Sequence, residues 1–230
     1  MSSTSSADRS APLALWAWTG LGLLALLAWD ASGLDLPLAR LAGAHTGFPW
    51  RDNWFLATVL HEGGRRLAWL LALLLCLGVW WPRGPLQRLS PGARVQLALT
   101  SLLAAAAVSL LKAGSATSCP WDLGDFGGTA RYASHWQLAS DGGPGRCFPA
   151  GHASAGFSFI GGFLAFRDVD NALARRWLLA ALTAGLVFGL AQQWRGAHFM
   201  SHTLWACWVC WVTALAVDAV WQPLQAWVMA

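Results

Sequence analysis

The chain is short of charge. Only 11% of its 230 residues are Asp, Glu, Lys or Arg, against about a quarter in an ordinary soluble domain. That scarcity, with 56% hydrophobic residues and a mean hydropathy of +0.45, excludes disordered chains, disulfide miniproteins and most soluble enzymes. A soluble core of this size could not hide so much apolar surface. Lysine is nearly missing: Lys112 is the only one among fifteen basic residues. There is no basic stripe, so the net charge of +4 gives no reason to expect nucleic acid as a partner. There is one tyrosine but there are seventeen tryptophans. Internal repeats are absent, and no small-residue cleavage pattern follows the Ser-rich leader, so the first apolar stretch reads as a retained helix.

What remains is a pattern of long apolar runs. Crossing about 30 Å of hydrocarbon takes roughly 20 residues in a helix. Six stretches approach that length, at about 12–29, 67–82, 95–112, 151–166, 177–193 and 199–221. Lipid offers the backbone no hydrogen-bond partner, so each is expected as a helix. The fold class expected is therefore all-α and membrane-integral, with six transmembrane helices forming one domain over 12–221. Residues 1–11 read as a disordered tail and 222–230 as a C-terminal tail. Residues 48–62 read as a separate interfacial helix. Gly151, Gly156, Gly161 and Gly162 suit close helix packing in the fourth span.

Connections alternate in length. The short ones, 83–94 and 167–176, carry Arg83, Arg88, Arg94, Arg167, Arg175 and Arg176. Dense arginine in short loops marks the cytoplasmic side. Both termini are then inside and the long loops 30–66 and 113–150 outside. All six histidines (His45, His61, His135, His152, His198 and His202) fall in outer loops or at outer helix ends, as does Lys112. Ionisable groups at the membrane face default to a functional reading. A transporter would want charges in the middle of its helices, and almost none are there.

Three segments carry the chemistry. They are Lys112 through Cys119-Pro120, Phe148-Pro149-Ala150-Gly151-His152, and Arg195-Gly-Ala-His198-Phe-Met-Ser-His202. In order, spacing and side they resemble the type 2 phosphatidic acid phosphatase superfamily, with its signatures Lys-x6-Arg-Pro, Pro-Ser-Gly-His and Ser-Arg-x5-His-x3-Asp. The resemblance covers roughly residues 95–215. Cys119 stands where the family has arginine, Ala150 where it has serine, Gln192 where it has the second arginine, and His202 where it has aspartate. Arg195, Arg131, Arg146 and Arg65 are candidates to supply the missing positive charge. Asp122 and Asp125 are candidates for the missing negative charge.

The resemblance implies a division of labour. His198 is the nucleophile that forms a phosphohistidine, His152 the general acid and then base, and His202 the residue that orients His198. Lys112, Arg195, Gly151 and Arg131 bind phosphate, and neither metal nor other cofactor takes part. The physical logic stands beside this. A phosphoryl group in transfer spreads negative charge over three oxygens and needs fixed cations and N–H donors. A neutral imidazole can attack phosphorus, and histidine titrates where proton transfer needs it. The implied substrate is a lipid phosphate at the outer leaflet of a bacterial inner membrane, with the site facing the periplasm: a polyprenyl diphosphate, a phosphatidic acid-type lipid or lipid A. Transfer of the phosphate to a second lipid is the alternative outcome. A non-enzymatic reading takes His198 and His202, four apart on a helix, as half a metal site.

Two cysteines belong to the same argument. Cys76, Cys207 and Cys210 fall within spans, where a thiol acts as a small apolar side chain. Cys119 and Cys147 share an outer loop and flank two motifs that must converge on one phosphate. In an oxidising compartment they are expected to pair as a disulfide. His45 and His135 are expected in solvent. His61-Glu62 is open between a substrate-site role and a helix start. Asp218 reads as an interfacial residue.

Overall fold

The computed structural model describes residues 7–228. Among them the chain is helix and connection, with β pairing limited to two isolated bridges. Helix α1 spans Ala7–Ser32 and is followed by short α2, Asp35–Ala39. A wide-turned π-helical stretch, Phe55–Gly63, runs into α3, Gly64–Leu77. Then come α4 (Pro91–Gly114), a broken helix made of α5 (Ser154–Phe157), a 3₁₀ turn (Ser158–Ile160) and α6 (Gly161–Phe166), and the long α7 (Asn171–Trp194) and α8 (Met200–Val228).

Among the described residues four helices are long and apolar enough to cross a membrane: Ala14–Ser32, α4, α7 and Met200–Gln222. Their flanks stay apolar where nothing in the chain covers them. Trp18 and Leu24 on α1, Trp69 on α3, Leu110 on α4 and Leu179 on α7 are all exposed, which suits a lipid-facing surface. The apolar runs predict six spans. The fourth run contributes a broken 13-residue helix, Ser154–Phe166. The second is displaced: its helix begins at Phe55 and stops at Leu77, short of Pro82. The separate interfacial helix expected over 48–62 is therefore not formed, because its second half is continuous with α3. Gly64 lies at the join, where a Cβ would come within 2.7 Å of the Phe188 ring of α7. The bare backbone lets the helix rest on α7 there.

The ends differ from expectation as well. Helix α1 starts at Ala7, inside the stretch 1–11 read as a tail, and residues 1–6 lie outside the described residues. Helix α8 continues through Val228, into the stretch 222–230 read as a tail. Extending a formed helix adds one hydrogen bond per residue fixed, so a helix tends to overrun its apolar core.

Local chemistry sets several boundaries. Ser90 caps α4, its hydroxyl accepting from the Ala93 N–H at 3.2 Å, with Pro91 at the first helical position. Asp170 caps α7, accepting from the Leu173 N–H at 2.9 Å. Helix α4 packs along α8, and the broken helix packs on α7. Glycine makes that last contact possible. A Cβ on Gly156 would sit 2.2 Å from the Gly185 nitrogen, and one on Gly162 would enter the Trp177 ring. Three of the four glycines of that stretch thus lie at close approaches, Gly161 against Thr100 being the third.

The bundle has two chemically distinct ends. At one, Arg88 pairs with Asp170 and joins the two short loops. Buried Asp218 accepts from Gln96 at 2.9 Å and pairs with Arg167 at 3.0 Å, tying α4, α6 and α8 together. At the other end the two long connections fold over the helices and onto each other. There Arg40 pairs with Asp125, Trp121 N–H donates to Gly196 O at 3.0 Å, and Arg195 Nε donates to Arg51 O at 2.7 Å. The Cys119–Cys147 disulfide is present, with Cα atoms 5.2 Å apart.

Candidate active site

The histidines converge beneath this cap. His198 lies in the tight connection between α7 and α8, and His202 in the first turn of α8. His198 lies two residues ahead of α8, so the shared helix face expected from the spacing of four is not formed; the turn into α8 instead brings the two Nδ1 atoms to 3.4 Å. Both are almost fully buried, at 5% and 1% exposure. With one ring protonated on Nδ1 and the other on Nε2, the first can donate to the second along that line. The Nδ1 side of His198 is thereby occupied, and its Nε2 is left for chemistry. Cys147 Sγ also touches His198 Nδ1, at 3.5 Å.

The start of α8 is fixed by a residue far away in sequence. Asp35 is buried and accepts both the N–H of Ser201, at 3.0 Å, and the Ser201 hydroxyl. An acid at a helix N-terminus satisfies otherwise unpaired N–H groups. The second motif is tied to the third by backbone: Ala150 N–H donates to the His202 carbonyl at 3.0 Å. The first is tied to the second by the disulfide and by two more backbone bonds, Cys147 N–H to Thr117 O at 2.9 Å and Arg146 N–H to Ser115 O at 2.7 Å. Asp141 buttresses the same loop. Burial pushes its carboxyl up, but the Ser118 N–H and hydroxyl and the Gly143 N–H outweigh that and hold it low.

Lys112 ends α4 under the second motif, and a Cβ on Gly151 would meet its Cδ at 3.4 Å. Its charge acts on both His152 and His198. His152 stands in the turn ahead of α5. Its ring stacks on His61, with centroids 3.6 Å apart, and its Nε2 is buried without a hydrogen-bond partner among the described residues. His61 is 3.1 Å from Glu62, which pairs with Arg65 at 2.7 Å. Arg195 hydrogen-bonds Gln192 at 3.2 Å, and its charge is felt at His61. Arg131 is exposed on the long loop, its N–H bonded to Asp141 O.

The electrostatics favour neutral rings. Burial pushes His198 well below the usual histidine range, and positive charge on Lys112, His202 and His152 pushes the same way. Burial also lowers His61, with Arg195 adding to it and Glu62 opposing.

Two sequence expectations fail here. His135 is not in solvent. Its side chain is 7% exposed, 3.2 Å from Asp30 Oδ2, and stacked on Phe148 at 4.0 Å. Burial lowers it despite Asp30 and Asp35. It folds inward because the Phe148 and Trp205 rings offer an apolar face and Asp30 an opposite charge. Nor do Asp122 and Asp125 serve the histidines. Asp122 accepts from Cys119 N–H at 3.3 Å, and Asp125 holds Arg40. Asp30, the acid beside His135, also accepts from Trp136 and Trp205. No motif signals it. His45 is exposed, as expected.

A cavity of about 200 Å³ opens beside His152. It is lined by Arg65, Trp69, Ser101, Leu102 and Phe159 among others, from the α3, α4 and α5 side.

Comparison with curated proteins and with solved structures gave no match. The family model of the PAP2 superfamily matches residues 93–225, from the start of α4 to near the end of α8. With this match over more than half its length, the chain belongs to the PAP2 superfamily, whose chemistry is phosphatase-type hydrolysis of phosphoric esters.

Proposed function

We propose that this protein is a metal-independent membrane lipid phosphatase that works through a phosphohistidine on His198. The observation that carries the reading is the buried His198–His202 pair. Its Nδ1-to-Nδ1 contact of 3.4 Å holds the ring by one nitrogen and leaves the other free as a nucleophile. In the first step His198 Nε2 bonds to phosphorus, the ester P–O bond breaks, and His152 gives its proton to the departing oxygen. In the second, His152 takes a proton from water, the water oxygen bonds to phosphorus, and the P–N bond breaks to release phosphate. A bound phosphate brings the negative charge that favours the protonated form of His152.

Lys112 and Arg195 neutralise the transferring group, with Gly151 giving the phosphate room beside Lys112. Arg65, which borders the cavity at His152, is a better placed second arginine than Arg131. His202 orients His198 in place of a carboxylate. The largely apolar cavity supports a substrate with a lipid chain, such as a polyprenyl diphosphate, a phosphatidic acid-type lipid or lipid A. Six membrane crossings, with the histidine end facing the periplasm of a bacterial inner membrane, complete the proposal.

The test is phosphate release from a panel of purified lipid phosphates in detergent, with and without EDTA. Release from at least one, undiminished by EDTA, is the expected result. Phosphate moved onto a second lipid without release would replace hydrolysis by phosphotransfer. Labelling of single cysteines by impermeant reagents in intact cells checks orientation: a cysteine in 30–66 should react and one in 83–94 should not.

A further inference from the structure

The contact between the disulfide and the catalytic pair has a chemical consequence. Cys147 Sγ, His198 Nδ1 and His202 Nδ1 come from two segments about 50 residues apart. Yet one ligand atom from each lies within 4.8 Å of the others, and all three residues are buried. A tetrahedral zinc ion with Zn–S of about 2.3 Å and Zn–N of about 2.0–2.1 Å sets its ligand atoms about 3.6 Å (S to N) and about 3.3 Å (N to N) apart. The distances found are 3.5 Å from Cys147 Sγ to His198 Nδ1 and 3.4 Å between the two Nδ1 atoms. Two of the three ligand-to-ligand distances thus match a tetrahedral zinc site, and the third lies within 4.8 Å.

The state of the sulfur decides how well these atoms suit a metal. In the Cys119–Cys147 bond Cys147 has no thiolate to offer. Two neutral imidazoles near Lys112, whose charge acts on both, make a poor host for a dication. A thiolate changes that. It brings a negative charge that offsets Lys112 and a soft donor that, with two imidazoles, suits zinc far better than magnesium or calcium.

We propose that reduction of the Cys119–Cys147 disulfide converts the catalytic histidine pair into a Cys147–His198–His202 zinc site that silences the enzyme. The chemistry balances. A dithiol reductant is oxidised to its disulfide while Cys119 and Cys147 each gain a proton as thiols. Zn²⁺ then displaces the proton of Cys147 to solvent and takes Nδ1 of each histidine, whose ring protons sit on Nε2. His198 thereby loses the Nδ1 contact that orients it, and the positive ion beside it weakens its Nε2 as a nucleophile. In the oxidised protein the disulfide protects the site against thiophilic metals.

Cobalt(II) is the spectroscopic stand-in for zinc, and Cys119→Ser frees Cys147 without a reductant. Cys119→Ser protein in detergent should bind one Co²⁺ per chain with a thiolate-to-cobalt charge-transfer band and tetrahedral d–d bands, and Zn²⁺ should bleach them. Adding Cys147→Ser or His202→Gln should weaken binding by more than the about 100-fold seen when a mere supporting contact is lost. The double serine variant keeps Cys76, Cys207 and Cys210, and so controls for them. Unreduced wild-type protein should show no thiolate band and should acquire one on phosphine or dithiol treatment. Folded Cys119→Ser protein with no thiolate band, or with the same affinity as Cys119→Ser/Cys147→Ser, overturns the proposal. Should Cys119→Ser fail to fold, folded wild-type protein reduced in place takes its role, and absence of the band there overturns the proposal equally. The readout is absorbance, so it stands or falls separately from the phosphatase reading.

Discussion

His61 and His152 stack ring on ring, with centroids 3.6 Å apart and planes inclined by 22°. One comes from the stretch leading into α3, the other from the turn before α5. The pair fixes the plane of the residue assigned to proton transfer. His61→Ala should therefore lower kcat by about 10-fold or more, within the range that proton transfer by a positioned group contributes. His61→Phe, which keeps a flat ring at the same place, should recover most of it. Equal losses in both variants would mean that His61 acts through its nitrogens and not through its face.

His198→Ala and His152→Ala should each reduce turnover by at least about 100-fold, with the melting temperature in detergent recorded to show the fold intact. Radiolabelled phosphate should be trapped on wild-type protein after acid-free quenching and on none of the His198→Ala protein. Substantial activity in well-folded His198→Ala protein would sink the covalent mechanism.

Removing a fixed cation should act on the charged transition state. Lys112→Ala and Arg65→Ala should lower kcat/KM by about 100-fold, the scale of losing one stabilising donor. Arg131→Ala, exposed on its loop, should have a smaller effect. If Arg131→Ala proves the more damaging, the long loop closes over substrate and Arg131 reaches the phosphate after all.

The buried histidines make stability depend on pH with a definite sign. His198 has its folded pKa depressed, while the unfolded chain titrates near the ordinary value of about 6.5. The unfolded state then binds more protons below that value, so this contribution is complete above about pH 6.5 and is lost as pH falls. The melting temperature should drop between pH 8 and pH 5, and His198→Asn should lessen that dependence, His61 and His135 keeping their share. A melting temperature that rises on acidification would contradict a neutral, buried His198.

The disulfide closes a loop with a sequence separation of 28 residues. In the chain-entropy model it stabilises by about 3–4 kcal/mol. Alkylation before reduction should leave Cys119 and Cys147 unmodified by mass spectrometry, and Cys147→Ser should lower the melting temperature markedly. Alkylation of both in unreduced native protein would show that the bond is absent.

Much of the site is legible in the sequence because it is written in short spacings. Lys112 seven residues before Cys119, Gly151 beside His152, and His198 four before His202 are local patterns, although it is the turn ahead of α8, and not a helix face, that brings His198 to His202. The cysteine pair follows from which thiols lie outside the apolar runs. Helices α4, α7 and α8 are legible for a similar reason: their apolar runs are long enough to be helices in lipid. The tertiary structure alone could decide what the long connections do. Asp35 caps α8 from 166 residues away, and Asp30 accepts from Trp205 across 175. No periodicity encodes such contacts. They arise only when packed helices bring two loops to one end, and then the balance between burying a polar group and finding it a partner determines where it settles. That balance drew His135 out of solvent and onto Phe148, laid His61 over His152, and left Asp122 and Asp125 to serve the loop instead of the histidines.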